Sequence, residues 1–348
     1  MFLNGNAFSY GMKIKENYSL EKHNTFHLPV KTRWFMEYEN EEELDRIRRD
    51  EYFQENDYVH IGSGSNLLFL NDYSGIVLHS AIKGITKEEE TADSVLLRIG
   101  ASEIWDEVVN YAVSNDWYGI ENLSNIPGET GAAAIQNIGA YGVEIKDVVE
   151  SVEVFSLQTG EKHKFAKADC AYAYRYSRFK KEENPFIVTH VYLRLSKTPH
   201  FTLDYGNLKE ELQNAHIHNV RAINVREAVI AIRKQKLPDP EEWGNAGSFF
   251  TNPIVSCQQF EQLKAQYPSI PSYPFDDQVK IPAGWLIEQC GFKGKTHGEV
   301  GVYEKQALVL INLGNATGTD IALVAESIRM TVFERFQIDL IPEVKYIG

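Results

Sequence analysis

The chain has 348 residues, 43% of them hydrophobic and 24% charged, a balance that excludes a disordered, collagen-like or coiled-coil polypeptide. Single cores stop growing near about 250–300 residues, so roughly two domains are expected. With 35 basic against 49 acidic residues the net charge is −14, which excludes bulk binding of nucleic acid or of an anionic membrane surface and requires local positive charge for any anionic ligand.

Residues 1–17 show no basic stretch followed by an apolar run, so no secretory signal is read there; they form a weakly patterned arm on which no function depends. No segment approaches about 18 apolar residues, and no membrane span is expected. Cys170, Cys257 and Cys290 are odd in number and contain no CxxC pair, which argues against a disulfide framework or structural zinc and for a reducing, cytoplasmic setting. His216-Ile217-His218 has no acidic or cysteine partner nearby, and no metal is expected.

Between residues 18 and 83, Tyr58–Ile61 and residues 75–79 read as strands. Between them lies Gly62-Ser63-Gly64-Ser65-Asn66. Its glycines let backbone N–H groups converge on an anion. It lacks the third glycine of a dinucleotide fingerprint, where Leu67 stands, and the GK[ST] of a phosphate loop; a plain turn explains it equally well.

Residues 84–225 open with a strand at 95–99. A helix follows, with Ile104, Trp105, Val108, Val109, Ala112 and Val113 on one side and Ser102 as its N-cap. Further strands are expected at 149–155 and 186–195. The stretch between contains Ile126-Pro127-Gly128-Glu129-Thr130-Gly131-Ala132-Ala133-Ala134 and then Gln136-Asn137-Ile138-Gly139-Ala140-Tyr141-Gly142. A tight helix packed through alanine explains the first part. It leaves Gln136 and Asn137, flanked by Gly139 and Gly142, unexplained, which favours a backbone lying against a large ligand. Two Gly-rich loops suit a dinucleotide better than a single phosphate.

From residue 226 a helix is expected at 228–233, broken by Leu237-Pro238-Asp239-Pro240. Helices follow at 258–266 and 283–289, then a buried strand at 307–311. Thr319 or Asp320 opens a long helix with an apolar stripe of Ile321, Val324, Ile328, Val332 and Phe336. A strand over 340–347, interrupted by Pro342, ends the chain. The class is α+β.

The loop Gly62-Ser63-Gly64-Ser65-Asn66-Leu67-Leu68, the segment Ile126-Pro127-Gly128 and the run Gln136-Asn137-Ile138-Gly139-Ala140-Tyr141-Gly142 together resemble the flavin-binding segments of the UDP-N-acetylenolpyruvoylglucosamine reductase family. Further matches follow in order: Tyr174-Arg175, Lys236-Leu237-Pro238-Asp239-Pro240, Gly244-Asn245-Ala246-Gly247-Ser248-Phe249-Phe250, Asn252-Pro253, Ala283-Gly284-Trp285-Leu286-Ile287 and Pro342-Glu343-Val344. The resemblance covers residues 19–348, and Leu203-Asp204-Tyr205-Gly206 is similar to the longer, Tyr-bearing subgroup.

The resemblance implies a vanillyl-alcohol-oxidase-type FAD-binding fold of two lobes with a C-terminal α+β substrate-binding domain. The expected blocks are an arm at 1–17, flavin lobes at 18–83 and 84–225, a substrate domain at 226–337 and a C-terminal strand carrying the catalytic glutamate at 338–348. It implies an NADPH-driven flavoprotein oxidoreductase that reduces the enolpyruvyl ether of UDP-N-acetylglucosamine to UDP-N-acetylmuramate. That reaction belongs to peptidoglycan precursor synthesis, and so to cell wall biogenesis, cell shape and cell division. A cytoplasmic monomer without nucleic-acid or membrane partners is expected.

FAD, held noncovalently, is expected to contact Gly62, Ser63, Gly64, Ser65, Asn66, Pro127, Gly128, Gly131, Ala132, Gln136, Asn137, Gly139, Tyr141 and Gly142. In this chemistry negative charge develops beside the substrate carboxylate as an enolate, and the adjacent carbon must then be protonated. Arg175 resembles the family arginine that clamps the carboxylate; a guanidinium is a bidentate partner that keeps its proton. Glu343 resembles the second polarising group, its pKa raised if desolvated in an apolar strand. Ser248 resembles the proton donor. Tyr205, Lys236, Asn252, Tyr273, Lys280, Lys293 and Gln306 are expected to hold the uridine diphosphate and glucosamine. Two rivals remain at this point: another FAD oxidoreductase of the same superfamily, and a nucleotide-sugar-binding protein without turnover.

Overall fold

Strands form where apolar residues alternate with charges: Lys31–Tyr38 buries Thr32, Phe35, Met36 and Tyr38 while Lys31 and Arg33 face solvent. The computed structural model describes residues 13–181 and 185–348. They divide into two units. One comprises residues up to Tyr18, Thr32–Ser63 and Ser74–Arg233; the other comprises Ser19–Lys31, Gly64–Tyr73 and Lys234–Gly348.

The first unit holds two sheets. In one, Lys13–Ser19, Lys31–Tyr38, Tyr73–Ser80 and Tyr58–Ile61 lie side by side in that order, the last two parallel. Residues 13–17, expected within a weakly patterned arm, are thus part of an edge strand; residues 1–12 of that arm lie outside the described residues. The helices Glu41–Arg49 and Glu51–Glu55 cover the sheet. Asn40 caps the first by accepting from the Glu43 amide at 2.9 Å, and Asp50 caps the second by accepting from Tyr52 and Phe53 at 3.0 and 3.3 Å. Leu44, Ile47 and Phe53 then meet Met36, Tyr38, Ile76 and Leu78 in one apolar core.

The other sheet is antiparallel, in the order Lys162–Ala166, Val149–Ser156, Phe186–Ser196, Ser94–Gly100 and Ile85–Glu90. The helices Trp105–Ser114 and Thr130–Gln136 add Trp105, Val108, Val109, Ala133 and Ala134 to its core. Ser102 does not cap the helix Trp105–Ser114. Ile104 occupies the N-cap position, and the Ser102 hydroxyl instead donates to the Ser80 carbonyl, joining the ends of two strands.

The helix Ala222–Lys236 is anchored in this unit by Arg226, whose Nη1 and Nη2 donate to the two Asp106 oxygens at 2.6 and 2.8 Å. Burial raises the Asp106 pKa, but the bonds from Arg226 outweigh it and hold the carboxyl below the usual range. Replacing Arg226 with alanine strands a half-buried carboxylate, and a loss of about 3 kcal/mol is expected in denaturant unfolding. The pair's contribution is complete above about pH 4 and fades as pH falls through the depressed Asp106 pKa. An Arg226→Ala chain that unfolds at the wild-type midpoint would show that the pair anchors nothing.

The second unit is built on an antiparallel sheet of Gly244–Ser248, Val309–Asn312, Val300–Val302 and Thr296–His297. The helix Gly318–Phe336 buries Ile321, Val324, Ile328, Val332 and Phe336, the expected stripe. Its cap lies slightly earlier than expected: Thr317 Oγ1 accepts from the Asp320 amide at 3.1 Å, and Asp320 reaches back to the Thr317 amide at 2.9 Å. A three-stranded sheet orders Ile254–Ser256, Gln278–Lys280 and Tyr273–Phe275. Of the expected strand 340–347 only Lys345–Ile347 forms, parallel to Leu67–Phe69. Pro342 has no N–H to donate, and it makes an isolated bridge to Phe250.

Ser19–Lys31 is stitched into this unit by the Asn245 amide, which donates to Thr25 O at 2.8 Å, and by Asn312 Nδ2, which donates to Phe26 O at 2.9 Å. The units therefore interleave along the chain, whereas the expected blocks 18–83, 84–225, 226–337 and 338–348 run consecutively. Both units mix helices with largely antiparallel sheets, the α+β class. No helix among the described residues is long and apolar enough to cross a membrane.

Candidate active site

In the first unit the two Gly-rich segments meet. Gly62 follows the strand Tyr58–Ile61, and a Cβ placed on it would lie 2.8 Å from Glu129 Oε2. Only glycine brings the backbone of residue 62 so near residues 127–131. The tight helix that explains the first part of the second segment is present as Thr130–Gln136, and Gly131 lets it rest against Ala101, which a Cβ would meet at 2.9 Å. The Thr130 and Gly131 amides donate to Glu103 O and Ala101 O, both at 2.8 Å, so those two N–H groups are already engaged within the protein. Gly128 has φ +121°, and its carbonyl accepts from the Trp105 amide at 3.0 Å.

Asn137 ends this helix in the left-handed region, φ 47°, and is fully buried. Its Nδ2 donates to Ala173 O at 2.8 Å and its Oδ1 accepts from the Lys146 amide at 3.2 Å. Its side chain thus braces the turn that carries Tyr174 and Arg175. Arg175, φ 55°, sends Nη2 to Gly139 O at 3.1 Å. Tyr141 and Gly142 continue the turn with φ 48° and +82°, and a Cβ on Gly142 would lie 3.4 Å from Tyr205 Cβ. Asn122 holds both sides together, donating to Tyr141 O at 2.8 Å and Thr202 O at 2.7 Å. The unit therefore gathers Gly139, Tyr141, Gly142, Arg175 and the exposed Tyr205.

Sequence reasoning missed Arg233. Its Nε donates to Asn125 O at 3.1 Å. Burial pushes its guanidinium below the ordinary value; Tyr141 and Asp106 oppose that shift, and the Arg175 charge adds to it. Two guanidiniums that feel each other beside a glycine turn favour an anion. Composition gave no signal for Arg233, which sits in an ordinary helical run.

In the second unit Gly64 has φ +73°, and a Cβ on it would lie 1.9 Å from His23 O. Asn66 Nδ2 donates to Glu343 O at 3.0 Å, and Asn66 O accepts from the Lys345 amide at 3.1 Å. Ser248 ends the strand Gly244–Ser248 opposite Val309. Before it, Gly247 has φ +67° and donates to Asn245 Oδ1 at 2.9 Å. After it, the Phe249 amide donates to Leu308 O, and Phe249 O accepts from the Glu343 amide, both at 2.8 Å. Glu343 lies between the Pro342 bridge and the strand Lys345–Ile347, not within a strand, and is half-buried. Ser248 and Glu343 are thus carried on hydrogen-bonded neighbouring segments.

The other expected substrate residues of this unit lie on several elements. Tyr273 and Lys280 face each other in register. Asn252 Oδ1 accepts from the Ala283 amide at 2.9 Å, at the start of the helix Ala283–Gln289. Gln306 Oε1 accepts from the Leu308 amide at 3.3 Å and would touch a Cβ on Gly284. Lys293 pairs with Glu288 at 3.1 Å, and Lys236 is exposed at the end of its helix.

The donor set suits a flavin dinucleotide: backbone approach at Gly62, a glycine turn at 139–142, and two guanidiniums beside it. An FAD-binding domain model matches residues 33–166, and the chain is an FAD-dependent oxidoreductase by class. A second model, the C-terminal domain of UDP-N-acetylenolpyruvoylglucosamine reductase, matches residues 239–347. The enzyme of that name from Porphyromonas gingivalis is 51% identical over 338 residues, covering 97% of this chain and all of that protein. The one from Bacteroides fragilis is 49% identical over 336 residues, covering 96% and 100%. The chain belongs to the UDP-N-acetylenolpyruvoylglucosamine reductase family. The crystal structure of the Thermus caldophilus enzyme, 24% identical, covers 97% of this chain and all of that one with a TM-score of 0.69, the same fold.

Proposed function

We infer that this chain reduces UDP-N-acetylglucosamine enolpyruvate to UDP-N-acetylmuramate at the expense of NADPH. The observation that carries the reading, beside family membership, is the bond from the Glu343 amide to Phe249 O, which seats Glu343 beside the residue that follows Ser248. FAD, when bound, takes two electrons from NADPH and delivers them as hydride to the terminal vinyl carbon. The two sheets of the first unit serve as the flavin lobes, with the backbones of residues 62–66 and 127–142 against the cofactor.

Arg175 pairs with the substrate carboxylate and, with Glu343, stabilises the negative charge that builds beside it. That role requires Glu343 to present a hydrogen-bond donor to the developing enolate. Ser248 Oγ gives its proton to the adjacent carbon. A hydroxyl is a weak acid, so it succeeds only against a much more basic carbanion-like centre and only when held close. The buried Phe249 and the Asn245–Gly247 turn hold it. Tyr205, Lys236, Asn252, Tyr273, Lys280, Lys293 and Gln306 take the nucleotide-sugar, the lysines acting as point charges toward the diphosphate. The enzyme works as a cytoplasmic monomer with no nucleic-acid or membrane partner.

A visible spectrum tests the reading. The purified protein is expected to be yellow, to bleach with NADPH and to recover its colour when the enolpyruvyl substrate is added. A colourless protein that takes up no added FAD would refute it. Tight UDP-sugar binding without NADPH oxidation would leave a binding protein.

A further inference from the structure

Next to Gly62, at the start of the first Gly-rich loop, lies a partly buried group of ionisable side chains that the reaction does not use. His79 sits on Tyr73–Ser80 directly opposite Ile61, the residue before Gly62. Its Nδ1 is 3.1 Å from Glu37 Oε2 and its Nε2 is 3.6 Å from Glu129 Oε1. Phe35 stacks on the ring at 5.8 Å and 28°. Glu129 is only 8% exposed, and its other oxygen occupies the space where a side chain of residue 62 would go. His60 and Tyr38, joined at 2.9 Å, are further ionisable neighbours, and the Glu41 charge acts on Tyr38. Burial, aided by the His79 charge, lowers the His60 pKa to about 3, and burial carries Tyr38 well above its ordinary value, so both are neutral near pH 7.

A carboxylate buried next to a loop that receives the FAD diphosphate repels its own cofactor unless a positive charge accompanies it. We propose that His79 is that charge: protonated, it bridges Glu37 and Glu129, neutralises the carboxylate next to Gly62, and makes FAD binding depend on pH. The inference rests on the flavin reading above. His79 is a positioning residue, acting through Glu129 rather than on the cofactor's reacting ring.

The sign follows from linkage. Burial lowers the His79 pKa, but the bonds and charges of Glu129 and Glu37 outweigh it and raise the pKa above 6.5. A bound diphosphate raises it further. Affinity for FAD is therefore full below the His79 pKa of the FAD-free protein and falls as pH rises through it.

The test is the FAD dissociation constant of the FAD-free protein, measured by flavin fluorescence from pH 6 to 9 at fixed ionic strength. Wild type is expected to weaken by about fivefold or more across that range. Glu129→Gln, which removes the repelling charge and one of the two partners of His79, is expected to bind more tightly than wild type at pH 9 and to move the fall in affinity to lower pH. His79→Gln is expected to bind weakly at both ends. Should that variant fail to fold, the wild-type and Glu129→Gln curves decide, together with the His79 ring resonance followed by NMR, whose midpoint is expected to drop in Glu129→Gln. A wild-type affinity that is flat with pH, or a slope whose midpoint is unmoved in Glu129→Gln, overturns the proposal and leaves the flavin reading standing. A protein that binds no FAD at any pH overturns both.

Discussion

Ser248→Ala is expected to lower kcat by at least about 10³-fold while NADPH still bleaches the flavin at the wild-type rate. The two halves of the reaction place different demands on the protein. The NADPH half makes no use of the serine hydroxyl. On the proposed mechanism the second half does, because its product needs a proton on carbon. The fold presents that hydroxyl at a strand end, where Gly247 with φ +67° turns the backbone and Phe249 anchors it on the other side. Alanine fits the same backbone, so stability and FAD content should hold. Stopped-flow reduction by NADPH beside steady-state turnover separates the two outcomes. Unchanged turnover would remove Ser248 from the role of acid.

The second large effect is expected from Arg175→Lys, about 10²-fold in kcat/KM. The charge survives this substitution but the fork does not. Arg175 sends Nη2 to Gly139 O at 3.1 Å, and a guanidinium carries its five N–H donors in a fixed planar fork. A lysine ammonium has to choose between that carbonyl and the substrate carboxylate. Its position is also costly: φ 55° is a backbone conformation that a side-chain-bearing residue adopts only when the surroundings hold it, here through the Asn137 brace on Ala173. The measurement is steady-state kinetics with flavin content determined on the same sample. A lysine variant with wild-type kcat/KM would exclude the bidentate clamp.

Elements with a clear period were legible in the sequence. The helix Ala283–Gln289 and the strand Tyr58–Ile61 have the expected bounds, and the buried stripe of Gly318–Phe336 follows its predicted spacing. Elements without a period were not. Ile85–Glu90 is an edge strand of charged residues with little β-propensity, so nothing local announces it. In Lys31–Tyr38 the consecutive Trp34, Phe35 and Met36 hide the alternation. The interleaving of Ser19–Lys31 and Gly64–Tyr73 with 234–348 depends on contacts made across hundreds of residues, which leave no local trace. The candidate residues themselves were read through family motifs. Glu129 was quoted only as part of a Gly-rich run, and Arg233 and His79 were passed over, because their importance comes from what lies beside them in space.

The parallel pairing of Leu67–Phe69 with Lys345–Ile347 has a consequence for how the protein is made. Asn66 and Glu343 are 277 residues apart, so on the ribosome the segment Gly64–Tyr73 waits for its strand partner while most of the chain is being translated. A nascent chain can close the antiparallel sheet of the first unit long before that moment. The second unit, with Ser248 and Glu343 on adjoining segments, is completed last. An mRNA truncated a few codons early would yield a chain that keeps both sheets of the first unit and lacks the strand that follows Glu343.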